Sequence, residues 1–192
     1  MEYAELHCLT HFSFLRGASH PAELVQQAHA LGYSALAITD ECSLAGVVQA
    51  HVATRDFPLK LIIGSEFHSE EGLHFILLAP DRRAYGQLST LISRARRRSA
   101  KGEYCMRVSD LEPASDACLC IWLPTPDQCA QPDMSCEDLL RHLQSRLWIG
   151  LHNNLGAQDE AISVARWQLA QQRNLPLVTC GNVHQHHPLR QP

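Results

Sequence analysis

Histidines and carboxylates placed at or just after the ends of short apolar runs are the residues of this sequence best suited to chemistry. His7 lies toward the end of the first run, Thr39-Asp40-Glu41 at the end of the second and Glu66 just after the third, while His152 and Asn182-Val183-His184 follow the last two; His74 instead opens a run. Imidazole and carboxylate bind transition-metal ions, and a hydrolytic centre needs several of them converging, with an open position where bound water loses a proton. Other chemistries lack their residues. There is no GxxxxGK[ST] phosphate loop and no Gly-x-Ser-x-Gly elbow, and the cysteines at 8, 42, 105, 118, 120, 129, 136 and 180 contain no CxxC pair.

The elements that must position these groups alternate between strand-like and helical period. Apolar runs at Tyr3 to Leu9, Ala35 to Thr39, Leu59 to Ile63, His74 to Ala79, Ala117 to Leu123, Leu147 to Leu151 and Leu175 to Thr179 predict seven strands. Between them, a helix capped by Ser19 or His20 buries Leu24, Val25, Ala28 and Leu31 and stops at Gly32. A second, capped by Ser43, carries Leu44, Val47, Val48 and Val52 on one face. A helix from about Arg82 turns Tyr85, Leu88, Leu91 and Ile92 inward, and others are expected near Glu137 to Ser145 and Asp159 to Gln172. Pro124 and Pro126 stop the fifth strand, so residues 125 to 135 are expected to form a long surface loop. Repeated β-α units of this kind predict an α/β barrel of parallel strands with functional groups at its C-terminal face.

Composition sets the boundaries. The 192 residues, 45% hydrophobic and 19% charged, suit one compact domain. No stretch approaches the roughly 18 apolar residues of a membrane span, and Met1-Glu2-Tyr3-Ala4-Glu5 is not a signal peptide, so a cytoplasmic location with reduced thiols and no membrane partner is expected. Cys118 and Cys120 alternate within an apolar run and should face one side of a strand. The formal charge of −4 excludes a protein that is basic all over, although Arg82, Arg83, Arg94, Arg96, Arg97, Arg98 and Lys101 gather in one region. That run is first a solvated helix end; a local phosphate contact is the alternative.

Three segments carry a family likeness: Glu5-Leu6-His7-Cys8-Leu9 with Ser13-Phe14-Leu15-Arg16-Gly17-Ala18-Ser19, then Ala35-Leu36-Ala37-Ile38-Thr39-Asp40, then Gly64-Ser65-Glu66. Together they resemble the PHP domain of bacterial replicative DNA polymerase alpha subunits. Arg146 to His152 and Leu177 to His184 fall in the family's order, so the resemblance spans nearly the whole chain, residues 1–192. The wording around Tyr3 to Cys8 and Ile38 to Gly46 is nearest the error-prone, mutagenesis-cassette branch.

The resemblance implies a distorted (β/α)7 TIM-like barrel which, when intact, holds up to three metal ions and hydrolyses phosphoesters. His7, Glu66, His74 and His184 match family metal-site positions; Leu9, Arg16, Glu41 and Asn182 stand where the family has His, Asp, His and Asp, and an apolar residue near Leu123 replaces a further ligand. Leu9 offers no lone pair and Arg16 repels a cation, so no metal, and no catalytic residue, is expected in this domain. His11 and Glu41 are the nearest substitute ligands. Arg16 is expected to point into the old cluster and pair with Glu41, Glu66 or both. Asp40 is expected to order its turn through backbone hydrogen bonds.

The resemblance further implies an N-terminal unit of a longer polymerase whose palm uses Mg2+. Its partners would be the remaining domains and DNA through them, mutagenesis-complex proteins and the sliding clamp. The alternative is a metal-dependent phosphoesterase or nuclease, with Zn or Mn on the reduced set.

Overall fold

The computed structural model describes residues 3–114, 116–152 and 156–190. Seven strands form one curled sheet in chain order: β1 (Ala4–Glu5), β2 (Ala35–Ile38), β3 (Lys60–His68), β4 (His74–Ala79), β5 (Leu119–Trp122), β6 (Leu147–Leu151) and β7 (Leu177–Thr179). The predicted seven strands and α/β class are present, and the curl is that of a distorted TIM-like barrel. Its two ends meet at a single parallel bridge, Cys8 with Val183, where the Leu9 amide donates to the Val183 carbonyl and the Val183 amide to the His7 carbonyl, each at 2.8 Å.

Not all strands are parallel, which corrects the sequence expectation. β4 runs antiparallel to both β3 and β5. Only residues 69–73 join β3 to β4, too few for the dozen or more that a parallel crossover requires. The reversal explains His74: the start of an antiparallel strand lies on the same rim as the ends of its parallel neighbours. β3 is also longer than expected. It continues through Gly64-Ser65-Glu66 to His68, so Glu66 stands inside a strand rather than after one, while β1 is cut to two residues.

Alternation divides the strand side chains between two layers. Ile76, Leu78, Ile121 and Leu123 point into the curl with Ala37 and Cys180. There the backbone of Gly150 passes so close that an added Cβ would lie 2.5 Å from Leu123 Cδ2. Phe75, Leu77, Cys118, Cys120 and Trp122 point outward under the helices, so the two thiols do share a side.

The helices are α1 (Pro21–Ala30), α2 (Val47–Thr54), α3 (Arg82–Arg97), α4 (Pro126–Ala130), α5 (Met134–Leu143) and α6 (Asp159–Arg173). Helix α1 starts with Pro21 in its first turn and the His20 amide bonded to Glu23 at 2.8 Å, and Gly32 at φ +74° ends it. Its stripe is Leu24, Val25 and Ala28, with Leu31 left exposed. Helix α2 starts three residues later than expected, capped at Gly46 rather than Ser43, because Ser43 closes a turn onto the Ala45 amide, and it buries Val47, Ala50 and Thr54 while Val48 and Val52 face water. On α3 the inward residues are Ala84, Leu88, Leu91 and Ala95, with Ile92 partly buried and Tyr85 exposed.

Residues 125–135 are no loop. The Thr125 hydroxyl accepts from the Gln128 amide at 3.3 Å, the Gln128 side chain accepts from the Thr125 amide at 3.0 Å, and Pro126 opens α4; α5 begins at Met134 rather than Glu137. Among the described residues no helix is long and apolar enough to cross a membrane.

Candidate functional site

The site is built where β1, β2, β3 and β4 reach one rim. The chain after β2 continues as a parallel bridge between Glu41 and Glu66, with the Glu66 amide donating to the Thr39 carbonyl and the Cys42 amide to the Glu66 carbonyl. Asp40, fully buried, fixes the neighbouring loop. Its carboxylate accepts from the Thr10 amide (2.8 Å), the Thr10 hydroxyl (2.8 Å) and the Ser13 hydroxyl (2.7 Å), so it orders the 10–13 loop, distant in sequence, largely through hydroxyls, rather than its own turn through backbone bonds as expected. The loop then folds on itself through Ser13, Arg16 and Gly17 amides, and the Ala18 amide joins the His184 carbonyl. Gly17 is obligatory: a Cβ there would lie 1.9 Å from the Thr10 oxygen.

This scaffold delivers Arg16 to the rim. Its Nη1 donates to Glu41 at 2.7 Å and its Nη2 to Glu66 at 3.0 Å. Glu66 is wholly buried. Its Oε2 is 2.9 Å from His7 Nε2, and its Oε1 is 2.9 Å from His68 Nε2 and 2.8 Å from His74 Nε2, the last off the line of a good hydrogen bond. Burial alone would raise Glu66, but the hydrogen bonds of His68 and His7, with the close approach of His74, outweigh it and hold the carboxyl well below the usual range. Burial lowers His74, and the attraction of Glu66 only partly offsets this.

His68 was missed by sequence reasoning. It lies two positions from Glu66, hence on the same face of β3, and pairs across the hairpin with His74, the rings stacked at 4.2 Å. The five-residue connection was the signal that would have found it. Glu41 also accepts from the Tyr104 hydroxyl at 2.8 Å, and Arg96 bonds the Glu41 and Cys42 carbonyls at 3.1 Å while lying over the Tyr104 ring. The basic end of α3 therefore does not simply face water; Arg96 braces the site from behind.

His7, Glu66 and His74 each offer a ligand atom within 4.8 Å of the others, a spacing that could hold a metal ion, and His7 Nδ1 has no hydrogen-bond partner among the described residues. His184 is not part of that group; its Nε2 donates to Asn182 Oδ1 at 2.9 Å. Leu9 and Leu123 are buried, the Leu123 amide donating to the His74 carbonyl. His11 packs against His20 and Phe12, with ring centres at 4.2 and 4.3 Å, and brings nothing to the group. His152 Nδ1 faces Arg166 at 3.1 Å, and burial followed by the Arg166 charge pushes it down to about 4. His186 is docked, its Nδ1 2.8 Å from the Ser19 hydroxyl.

A family model described as PHP domain matches residues 5–136, more than half of the chain. The chain belongs to the PHP domain family. This PHP domain is 49% identical over 191 residues to the error-prone DNA polymerase of Methylococcus capsulatus, covering 99% of the chain and 18% of that protein. It is likewise 49% identical over 184 residues to that of Pseudomonas paraeruginosa, covering 96% of the chain and 18% of that protein. The chain thus spans under a fifth of the length of these relatives. Among solved structures it superposes on a protein from Bifidobacterium adolescentis, proposed to be a metal-dependent phosphoesterase, with a TM-score of 0.68 and 17% identity over 97% of this chain and 90% of that one. An amidohydrolase from Chromobacterium violaceum, solved with sulfate and no metal, gives 0.63 and 15% over 95% and 87%. Identities this low speak for the fold alone.

Proposed function

We propose that this PHP domain, residues 1–192, is the N-terminal part of an error-prone DNA polymerase acting in damage tolerance by translesion synthesis. In this reading a hydrolytic metal centre has given way to a structural ion-pair cluster. The carrying observation is the Arg16 guanidinium, bonded to Glu41 and Glu66 in the middle of the rim. The donor set does not fit a multinuclear centre: the oxygens of Glu66 are engaged by Arg16, His7 and His68, with His74 closing in, and a permanent cation stands beside them. Leu9 and Leu123 supply no lone pair.

The domain would then serve as a structural and docking unit for the rest of the polypeptide, mutagenesis-complex proteins or a sliding clamp. Nucleotidyl transfer, which needs carboxylates holding two Mg2+ ions around a triphosphate, would lie elsewhere in the polypeptide. The similarity to polymerases several times longer supports this division.

The test is elemental analysis of the chain purified without chelators, with phosphatase and primer-extension assays. The expected result is no stoichiometric zinc, manganese or iron, no phosphoester hydrolysis and no primer extension. A tightly held bi- or trinuclear cluster overturns the reading. A second reading, a phosphoesterase holding Zn or Mn on His7, Glu66, His74 and His184, is favoured by the convergence of the first three and the unpartnered His7 Nδ1. One tightly bound ion accompanied by hydrolysis would select it.

A further inference from the structure

The charge of this chain is divided unevenly, and the division follows one helix. Residues 82–107 hold eight Lys and Arg against one carboxylate, a charge of +7; the rest hold eight against nineteen, −11, which together give the formal −4. Helix α3 itself, RRAYGQLSTLISRARR, has no acidic residue. At 3.6 residues per turn, Arg82, Arg83, Arg94, Arg97 and the capping Arg98 fall within one half of its circumference. Opposite them lie Ala84, Leu88, Leu91 and Ala95, buried against the sheet.

Helix stability does not account for this stripe. Cations favour the last turn, which suits Arg94 and Arg97, but Arg82 and Arg83 occupy the first turn, where the macrodipole disfavours them. A solvated helix face usually mixes signs at positions three or four apart, and α3 has no such pair. Side-chain pairing uses only part of the charge. Arg83 is held by Asp116, Arg98 by Asp110 and Arg107 by Glu70, and Arg96 is engaged by the Glu41 and Cys42 carbonyls, which leaves Arg82, Arg94, Arg97 and Lys101 without a salt bridge among the described residues. Arg82, Arg94, Arg97 and Lys101 are all exposed.

Beside the stripe runs a groove of about 360 Å³ between α3 and the 3₁₀ turn Val108–Ala114. It is lined by Arg83, Gly86, Gln87, Thr90, Arg94 and Asp110 with Leu91 at its floor. A Cβ on Gly86 would touch nothing within 4 Å, so a ligand backbone can approach the helix there. The one carboxylate, Asp110, is occupied by both arms of Arg98.

We propose that this face binds the phosphate backbone of a nucleic-acid duplex without reading its sequence. Clustered guanidinium groups with hydroxyl and amide side chains between them are what phosphate contact requires. A protein partner would need large apolar or aromatic anchors at the centre of the patch. No large hydrophobic side chain is exposed in the groove, and Tyr85 lies outside the basic half of the helix. Single strands are held by stacking on aromatic rings, and none is offered here. The −11 on the remaining residues orients the domain, turning α3 toward a polyanion and the other surfaces away. The inference rests on α3 alone and stands whether or not the rim binds metal.

The experiment is fluorescence anisotropy of this chain with a fluorescein-labelled DNA duplex of mixed sequence, across a salt series. Four free cations predict a log–log salt slope of about −3.6. The triple variant Arg82→Glu, Arg94→Glu, Arg97→Glu should weaken binding by roughly tenfold or more at low salt. The milder Arg→Gln triple should fall between it and the parent, both variants melting like the parent because the side chains are exposed. Unchanged binding in the triple variants, a single strand bound more tightly than the duplex, or polyglutamate competing as well as DNA at equal charge concentration would each overturn the proposal.

Discussion

Arg16 Nη2 lies 3.0 Å from Oε1 of Glu66, so a side chain of the rim itself supplies the positive charge that faces this buried carboxylate. A carboxylate removed from water needs a compensating cation or full hydrogen bonding. Glu66 gets both, from Arg16 in one loop, His7 just past β1 and His68 on its own strand.

Removing that cation should be costly. Arg16→Ala is expected to destabilise the domain by about 3 kcal/mol, the scale for stranding a buried charge, with Arg16→Lys intermediate because an ammonium cannot span Glu41 and Glu66 as the planar fork does. Urea unfolding followed by circular dichroism measures this. An alanine variant as stable as the parent would show that Glu66 is satisfied by its histidines alone.

Gly17 should be nearly as sensitive although it bears no side chain. Its Cβ would meet the Thr10 oxygen at 1.9 Å, and that atom is backbone held by neighbouring turns. Gly17→Ala is expected to cost about 2 kcal/mol or more and to displace Arg16, so the double variant Gly17→Ala, Arg16→Ala should lose less than the two separate losses combined. Strict additivity would argue against the coupling.

Acid should weaken the fold in two stages. Burial holds His74, His152 and His184 below their ordinary value of 6.5, His152 at about 4. Between about pH 6.5 and 4 the unfolded chain therefore carries more protons than the folded one, and stability falls as pH falls. Glu66, depressed from 4.5, contributes stability that is complete above that pH and lost below it. Melting temperatures should be flat only between about pH 7 and 8, declining from about 6.5 downward and again above the ordinary thiol range, because burial raises Cys8, Cys42, Cys120 and Cys180 in the folded chain. His152→Gln, which keeps an acceptor for Arg166, should reduce the upper part of the decline. A parent chain that grows more stable from pH 7 to 5 contradicts the assignment.

On the proposed reading, in which a cation stands in for metal, restoring the ligands that the resemblance implies should bring metal affinity back. With His at 9, Asp at 16, His at 41 and Asp at 182, zinc or manganese affinity measured by calorimetry should rise above that of the parent. Hydrolysis should stay absent while Leu123 holds the fifth-strand position. No gain in affinity would mean that the rim has lost the geometry as well as the ligands.

Much of this arrangement was legible in the residues. Apolar alternation located seven strands, and the family motif placed Arg16 at the rim, because both depend on local spacing. Strand direction was not legible from period, since side chains alternate alike in parallel and antiparallel strands. It was encoded instead in the length of the 69–73 connection, and with it went His68, whose place beside His74 exists only in a hairpin. The α4 start was hidden for another reason: two prolines suggest a loop, yet Pro126 at a first helical position beside a Thr-x-x-Gln box begins a helix. Val48 and Val52 illustrate the limit of apolar pattern on a short helix, where the buried face was taken by Val47 and Ala50.

The lone bridge between Cys8 and Val183 ties the first strand to the last, and the Glu5 carboxylate clasps the Gly181 amide across 176 positions of sequence. Contacts so distant along the chain form late and slow the overall rate. During synthesis the ribosome must deliver nearly the whole domain before the ring has anything to close upon, and at roughly 5 to 20 residues per second the buried Glu5 waits many seconds for its last donor. Until then the nascent sheet is an open ribbon with two raw edges, the stage at which a chaperone or a neighbouring nascent chain would find it.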